Sequence, residues 1–450
     1  MTDRLRIALV LFSLVFLPAA AFAQAAPPAQ PPATSPLTIK IGDAEILPGG
    51  FFDALAIVRS TNVGSGPATT FATIPFDNTP QGNLHEVRLS AQTSRLNALG
   101  TTKVGDATVK GFFEIDFLGN DAGNAFVYAN SHTPRMRLAW AQYARDTFEI
   151  TAGQAWTMVV PNRNGLSPAT PDVFVTQNLD ANIQVGLAWA RQAQFRFVAH
   201  PTETIAAGVS LENPQPFVGT AVVLPASFPA VEVDTGSTPG APSPYPDVVG
   251  KVAFDPKTGK THQHVEAGVL VRGFKSYSTA TNSTFSATGT AVMLSGVLQP
   301  VPPVRVVATS LIGNGGGRYM IGLAPDFIVN PDSSLTTVGS HSVMAGVEAQ
   351  VKPPTMVFGY YGTVRIDQEV VDDAGKPIGY GVPGSTAANR AIDETTLGVN
   401  HSFVRDARYG AVQLIVQYSY VKRTPWSVPE GTASSAHTNM FYMSVRYVLP

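Results

Sequence analysis

The chain contains no cysteine among its 450 residues. That excludes a disulfide framework, a thiolate metal site, a cysteine nucleophile and a lipid anchor on cysteine. Charge is also scarce: 14% of residues are charged, against about 25% in ordinary soluble domains. The formal net charge is −2, which gives no basis for nucleic-acid binding. After residue 23 no stretch stays apolar over the roughly 20 residues that a spanning helix needs. If the chain sits in a membrane, it must do so as a closed β-barrel. What is abundant is glycine (40) and proline (36), together with Ser, Thr, Asn and Gln. Such a composition suits many strands and turns and suits helices poorly.

The first residues read as an address. Arg4 and Arg6 precede an apolar run over 7–17, and Ala21-Phe22-Ala23 is a small-residue cleavage signal before Gln24. Residues 1–23 are therefore expected to be a signal peptide, and Pro/Ala-rich 24–37 an extended periplasmic linker. Residues 38–450 are expected to form one transmembrane antiparallel β-barrel.

Period-two alternation runs through that region. Val109, Gly111, Phe113, Ile115 and Phe117 alternate with Lys110, Phe112, Glu114 and Asp116. Val87 and Leu89 alternate with Glu86, Arg88 and Ser90; Met136, Leu138 and Trp140 alternate with Arg135, Arg137 and Ala139. Phe441, Met443, Val445 and Tyr447 alternate with Tyr442, Ser444 and Arg446. One face is apolar and the other polar. Three features put the apolar face toward lipid. Many runs last ten or more residues, as membrane strands do, rather than the five or six common in soluble sheets. Long links (61–83, 119–133, 158–182, 214–246, 277–285, 314–340, 368–391, 425–437) alternate with short ones, as extracellular loops alternate with periplasmic turns. The resulting count is about sixteen strands, and an even number returns the C-terminus to the side where the N-terminus began. The sixth strand, placed at 183–200, has the weakest pattern, because 183–191 also reads as the end of a loop.

A barrel of this size leaves an aqueous lumen unless a plug or folded loop closes it. Arg88, Arg95, Arg135, Arg137, Arg196, Arg272, Arg305, Arg365 and Arg446 fall on strands. Arginine at the lipid midplane costs about 2–4 kcal/mol, so these are expected to point inward, where a basic wall attracts anions. Glu86, Glu114, Asp116, Glu266 and Glu348 share that phase and set up a transverse field rather than a uniformly positive pore. Arg88, Arg95, Arg135 and Arg137, with Glu114 and Asp116, are the candidate pore-lining, anion-facing set. The third long link, 158–182, is a candidate constriction loop, with Arg163 and Asp172, and secondarily Asp180, at the eyelet.

Several motifs lack their context. Asp234-Thr235-Gly236 has no second carboxylate partner for an aspartic protease. His262, His264 and Glu266 share one strand face and are a weak metal candidate beside a polar-wall role. The glycines over 313–317 lack the Lys-Ser/Thr of a phosphate loop. Gly64-Ser65-Gly66 is a turn without a nucleophile elbow. No catalytic set and no cofactor site can be assembled, so the chain is read as not an enzyme.

The segments 89–96, 109–117, 135–140 and 152–157 (LSAQTSRL, VKGFFEIDF, RMRLAW, AGQAWT), with Gly317-Arg318-Tyr319 and the ending 446–450, resemble the DcaP-like porins of Gram-negative bacteria. The likeness is strongest over 84–157. It implies a sixteen-stranded homotrimeric porin of the outer membrane, with a basic eyelet favouring small dicarboxylate-like anions. A Pro-rich stretch stands where some members carry a helical N-terminal segment, and the chain ends in Pro450 rather than Phe. The expected partners are small anionic solutes and the lipid bilayer. The rival reading is a structural or adhesin barrel with a blocked lumen.

The mature chain is expected in the detergent-soluble fraction of membranes; recovery as a freely soluble protein overturns the barrel reading.

Overall fold

The computed structural model describes residues 35–64, 66–119, 131–169, 184–228, 232 and 242–450. The expected signal peptide, and the linker up to residue 34, lie outside the described residues, as do Asp172, Asp180 and Asp234.

Sixteen strands form one closed antiparallel sheet. They are β1 Ala44–Arg59, β2 in two segments (Glu86–Ser90 and Arg95–Val104), β3 Ala107–Asp116, β4 Arg135–Arg145, β5 Phe148–Trp156, β6 Arg191–Thr202, β7 Ile205–Glu212 and β8 Asp247–Phe254. Then follow β9 Gln263–Ser278, β10 Ser283–Val301, β11 Val304–Asn314, β12 Gly339–Lys352, β13 Thr355–Ile366, β14 Asn389–Asp406, β15 Gly410–Pro425 and β16 Ala436–Val448. β1 pairs with β16 from Phe51↔Val448 to Arg59↔Met440 and closes the ring. Closure leaves no edge strand, which is what a hydrocarbon surround requires.

Seven tight turns share one end with the start of β1 and the end of β16. Gly105, at φ +62, is in the two-residue turn between β2 and β3, where a positive φ suits glycine. A short extension, Ile39–Ile41, folds back on Ala44–Ile46, and Ser35 Oγ donates to the Pro450 carbonyl at 2.8 Å. Both ends of the barrel sequence are thus tied at the short-turn rim.

The outer surface carries the apolar phase. Val87, Leu89, Phe113, Phe195, Val292 and Leu397 are all exposed, and together they form a continuous belt that only lipid or another chain can cover. The inward phase is polar, with Asp53, Arg59, Glu114, Lys251, Glu266 and Arg272 buried.

Four expectations are corrected. First, β2 is not continuous: residues 91–94 make a turn, Ser94 N–H to Ala91 O, that aims Thr93 and Ser94 at Asp53. Second, the β3–β4 register shifts between Glu114 and Ile115, leaving Arg137 as the extra residue of a bulge. The bulge flips the phase, so Leu138 and Trp140 are buried inside while Met136 is exposed. Third, the link expected at 277–285 is four residues, 279–282. The Ser/Thr-rich ends of β9 and β10 read as loop but pair as strand from Tyr277↔Thr284 to Ser278↔Ser283. Fourth, the sixth strand begins at Arg191, and Gln184–Ala190 belongs to the preceding link and is buried.

The lumen is only partly aqueous. Links fold inward from the long-loop end and build a core inside the barrel, including Phe71 and Ile74 of the first link, Trp189 of the third, and Tyr319 and Phe327 of the sixth. Trp156 and Trp189 rings meet at 4.2 Å, and Phe274 packs on Phe327 at 5.0 Å.

Val292→Arg, on the outer face of β10, is expected to lower folding stability in lipid vesicles by about 2–4 kcal/mol. A urea titration followed by gel mobility measures this, and unchanged stability means that this face does not meet lipid.

Candidate functional site

The third link leaves β5, and its described parts, 157–169 and 184–190, follow the inner wall instead of projecting outward. Its backbone is held by carboxylates that the strands aim inward. Met158 N–H donates to Glu212 on β7 (2.9 Å), and Asn162 N–H to Glu266 on β9 (3.1 Å). Lys251 on β8 donates to the Val160 carbonyl (2.9 Å) and pairs with Glu266 (2.7 Å). Gly165 N–H reaches Asp255 in the β8–β9 turn (3.0 Å). At the far point Arg163 forms a two-pronged pair with Glu348 on β12 (2.6 and 3.0 Å). Backbone N–H groups in a loop buried this deeply need acceptors, and ionised carboxylates are strong ones.

Residues 184–190 of the link lie against β13 and β14. Val185 N–H donates to Glu394 on β14 (2.8 Å). Here the chain passes so close to β13 that a Cβ on Gly362 would lie 1.7 Å from the Val185 carbonyl oxygen, so Gly362 is the seat of the loop. Leu187 and Trp189 bond to the sixth link through Ile321 N–H and the Tyr319 carbonyl. That link is anchored by Arg272 on β9, which pairs with Asp247 (2.9 Å) and Asp326 (2.7 Å) under the Tyr319 ring.

Two cavities flank the link. One, about 540 Å³, is lined by Arg163, His262, Gln299, Arg305, Glu348 and Gln350. The other, about 380 Å³, is lined by Lys110, Phe112, Trp140, Gln142, Glu149 and His200. Asn164 borders both, so the link divides the space.

The candidate residues sort by their partners. Arg135 binds Asp116 through two bonds (3.0 and 2.7 Å). Arg137 is fully buried between Glu114 (2.7 Å) and Asp116 (2.9 Å), so the wall encloses its guanidinium. Arg88 pairs with Glu86, which also binds Arg59. Arg95 stacks over Phe51 at 5.6 Å, beside Arg446, which lies 4.0 Å from the same ring and pairs with Asp53. Arg365 does not face inward. It points outward near the long-loop rim and pairs there with Asp393 (2.9 Å); at that height it escapes the midplane cost that had been taken to turn it inward.

His264 is held between Asp255 (2.8 Å) and Glu266 (3.2 Å), while His262 contacts the Arg163 carbonyl. Among the described residues no three His, Asp or Glu side chains gather around a metal position. Sequence pattern does not reveal the Arg163–Glu348–Arg305 meeting point, because Arg163 lies 142 residues before Arg305 and 185 before Glu348 and only the fold of the link brings it to that strand pair.

In four of the inward pairs the carboxylate lies deeper than its arginine, whereas Arg59, Arg137 and Arg272 are as buried as their partners or more so. Side-chain exposures are 36% for Arg88 against 8% for Glu86, 33% for Arg135 against 0% for Asp116, 32% for Arg305 against 0% for Glu348, and 21% for Arg446 against 0% for Asp53. Glu86 and Glu348 each serve two arginines, and in all four pairs water meets the guanidinium side.

No protein-family model matches the chain, and no curated protein sequence does. Solved structures do match. The outer membrane channel DcaP of Acinetobacter baumannii aligns with a TM-score of 0.65 at 18% identity, over 91% of this chain and 98% of that one. An anion-selective porin from Comamonas acidovorans aligns at 0.51 and 11% identity, over 90% and 99%. Salmonella typhi OmpF, in complex with daunomycin, gives 0.51 and 11%, over 91% and 99%. The resemblance to DcaP-like porins read from the sequence is thus matched in the fold. With its apolar belt, inward polar phase and sixteen closed strands, the chain has the architecture of a bacterial outer-membrane porin.

Proposed function

We propose that this protein is an outer-membrane porin through which small anionic, dicarboxylate-like solutes diffuse passively past an arginine-bearing wall. The observation that carries the anionic part is the layering of four inward pairs, those of Arg88, Arg135, Arg305 and Arg446: buried carboxylate behind, guanidinium in front. A solute in the larger cavity meets Arg305 while Glu348 is shielded, and low-dielectric walls strengthen that bias. Arg163 serves as the cross-link that sets the constriction, with Arg88, Arg95 and Arg135 along the wall. Diffusion of this kind needs no catalytic group. Cleavage after Ala23 delivers the chain to the periplasm for assembly, and a homotrimer follows from the resemblance alone.

A second reading is favoured by the dry core of inward-folded links: a barrel with a blocked lumen, acting as a structural or adhesive protein. Liposome swelling with small sugars and with succinate separates the two. Swelling supports the porin; its absence, with folded protein present, supports the blocked barrel.

The wall makes two neighbouring arginines behave differently. Arg135→Gln is expected to lower the anion-over-cation permeability ratio in planar-bilayer reversal potentials, with stability little changed. Arg137→Gln strips a buried partner from Glu114 and Asp116 and is expected to cost about 3–5 kcal/mol of stability. Equal selectivity in wild type and Arg135→Gln removes Arg135 from the conducting wall.

A further inference from the structure

The outer face of β12–β16 changes character in register. Across the lower rows lie Gly359, Leu397, Tyr418 and Phe441, paired strand to strand. The next outward-facing row is Tyr361↔Thr395↔Tyr420. The row beyond is Thr363↔Asp393↔Lys422↔His437, with Arg365 one pairing further on, opposite Ala391 and next to Arg390. Apolar, then aromatic, then charged is the order expected where a barrel leaves hydrocarbon for headgroups. The row lies at the long-loop end, the side that faces the outer leaflet.

Charge there is unbalanced. Arg365, Arg390, Lys422 and His437 are outward or exposed cationic or titratable groups, against two carboxylates, Asp393 among them and Asp367 one row beyond Arg365. Asp393 already accepts from Arg365 (2.9 Å), Tyr361 (3.1 Å) and Thr363 (2.7 Å), which fixes the Arg365 guanidinium in place. Arg390 lies over the Trp426 ring at 5.8 Å. Directly below on the same strands is a groove of about 540 Å³, lined by Val347, Gly359, Leu397, Val399, Val416 and Tyr418. Gly359 lies on its floor, where a Cβ would come within 3.1 Å of Leu397 Cδ2.

We infer that this face binds one phosphorylated glycolipid of the outer leaflet, its phosphate held by Arg365, Arg390 and Lys422 and an acyl chain lying in the groove. Guanidinium and ammonium donors suit phosphate oxygens, and long basic side chains reach up from the belt to that level. The groove is what selects a lipid over a free anion. The inference stands apart from the transport reading, because Arg365, Lys422 and the groove lie on the outer face of the wall.

The test is native mass spectrometry of the purified full chain in detergent with added bis-phosphorylated lipid A. Wild type is expected to retain one lipid A. Arg365→Gln with Arg390→Gln and Lys422→Gln is expected to weaken retention by about a hundredfold, on the scale of three surface charges. Gly359→Leu, which fills the groove and leaves the cations, is expected to weaken it as well, so failure of the triple variant to fold does not end the test. Fully dephosphorylated lipid A is expected not to be retained by wild type. Equal retention of the dephosphorylated lipid, or of phosphatidylglycerol, overturns the inference. So does displacement by millimolar inorganic phosphate, which identifies a free-anion site.

Discussion

A peptide N–H or C=O in hydrocarbon has no partner unless the chain supplies one, and that constraint governs the whole structure. It forces the sheet to close between β1 and β16. Closure fixes which side of each strand meets lipid, and the remaining side must hold whatever charge the sequence carries. The same requirement reappears inside. The third link brings its own backbone into the lumen, and Glu212, Glu266, Asp255 and Glu394 accept its N–H groups. Acidic residues on the wall therefore act first as acceptors for protein, and only what remains uncovered is presented to a solute.

That double use explains why the lumen is charged and yet orderly. Carboxylates bury themselves against the wall or the loops, and arginines bridge outward from them. A buried pair contributes little net stability, but removing one partner is costly. The pairs thus hold geometry: Arg163–Glu348 ties loop to strand, and Arg272 ties the sixth link to β8 and β9.

Much of the barrel was legible in the sequence. Alternation and Gly/Pro turns mark fourteen of the strands to within a few residues, the second and sixth being the exceptions, because period two and tight turns are local properties. Where the alternation stayed regular, as at Phe113 or Phe441, the lipid-facing phase was legible too. It failed at Arg137, where one extra residue reverses the face and sends Leu138 and Trp140 inward. It failed again at Arg365, since a strand pattern gives the face but not the height along the membrane normal. The dry core was hidden for a different reason. Phe71, Ile74, Tyr319 and Phe327 lie in irregular segments whose burial depends on contacts with distant strands. Of the site, strand phase gave the inward direction of Arg88, Arg95 and Arg135, while the pairing of Arg163 with Arg305 through Glu348 required the fold.

Asp53 has a consequence for the order of assembly. It receives Thr93 from the break in β2, and Ser444 and Arg446 from β16. The last two are 391 and 393 residues away. This knot therefore cannot form while the C-terminal strand is still missing, and the entropy of closing so long a loop falls on the final step. Until then an acidic group and a guanidinium wait at two open edges. Their union marks the moment the cylinder becomes whole.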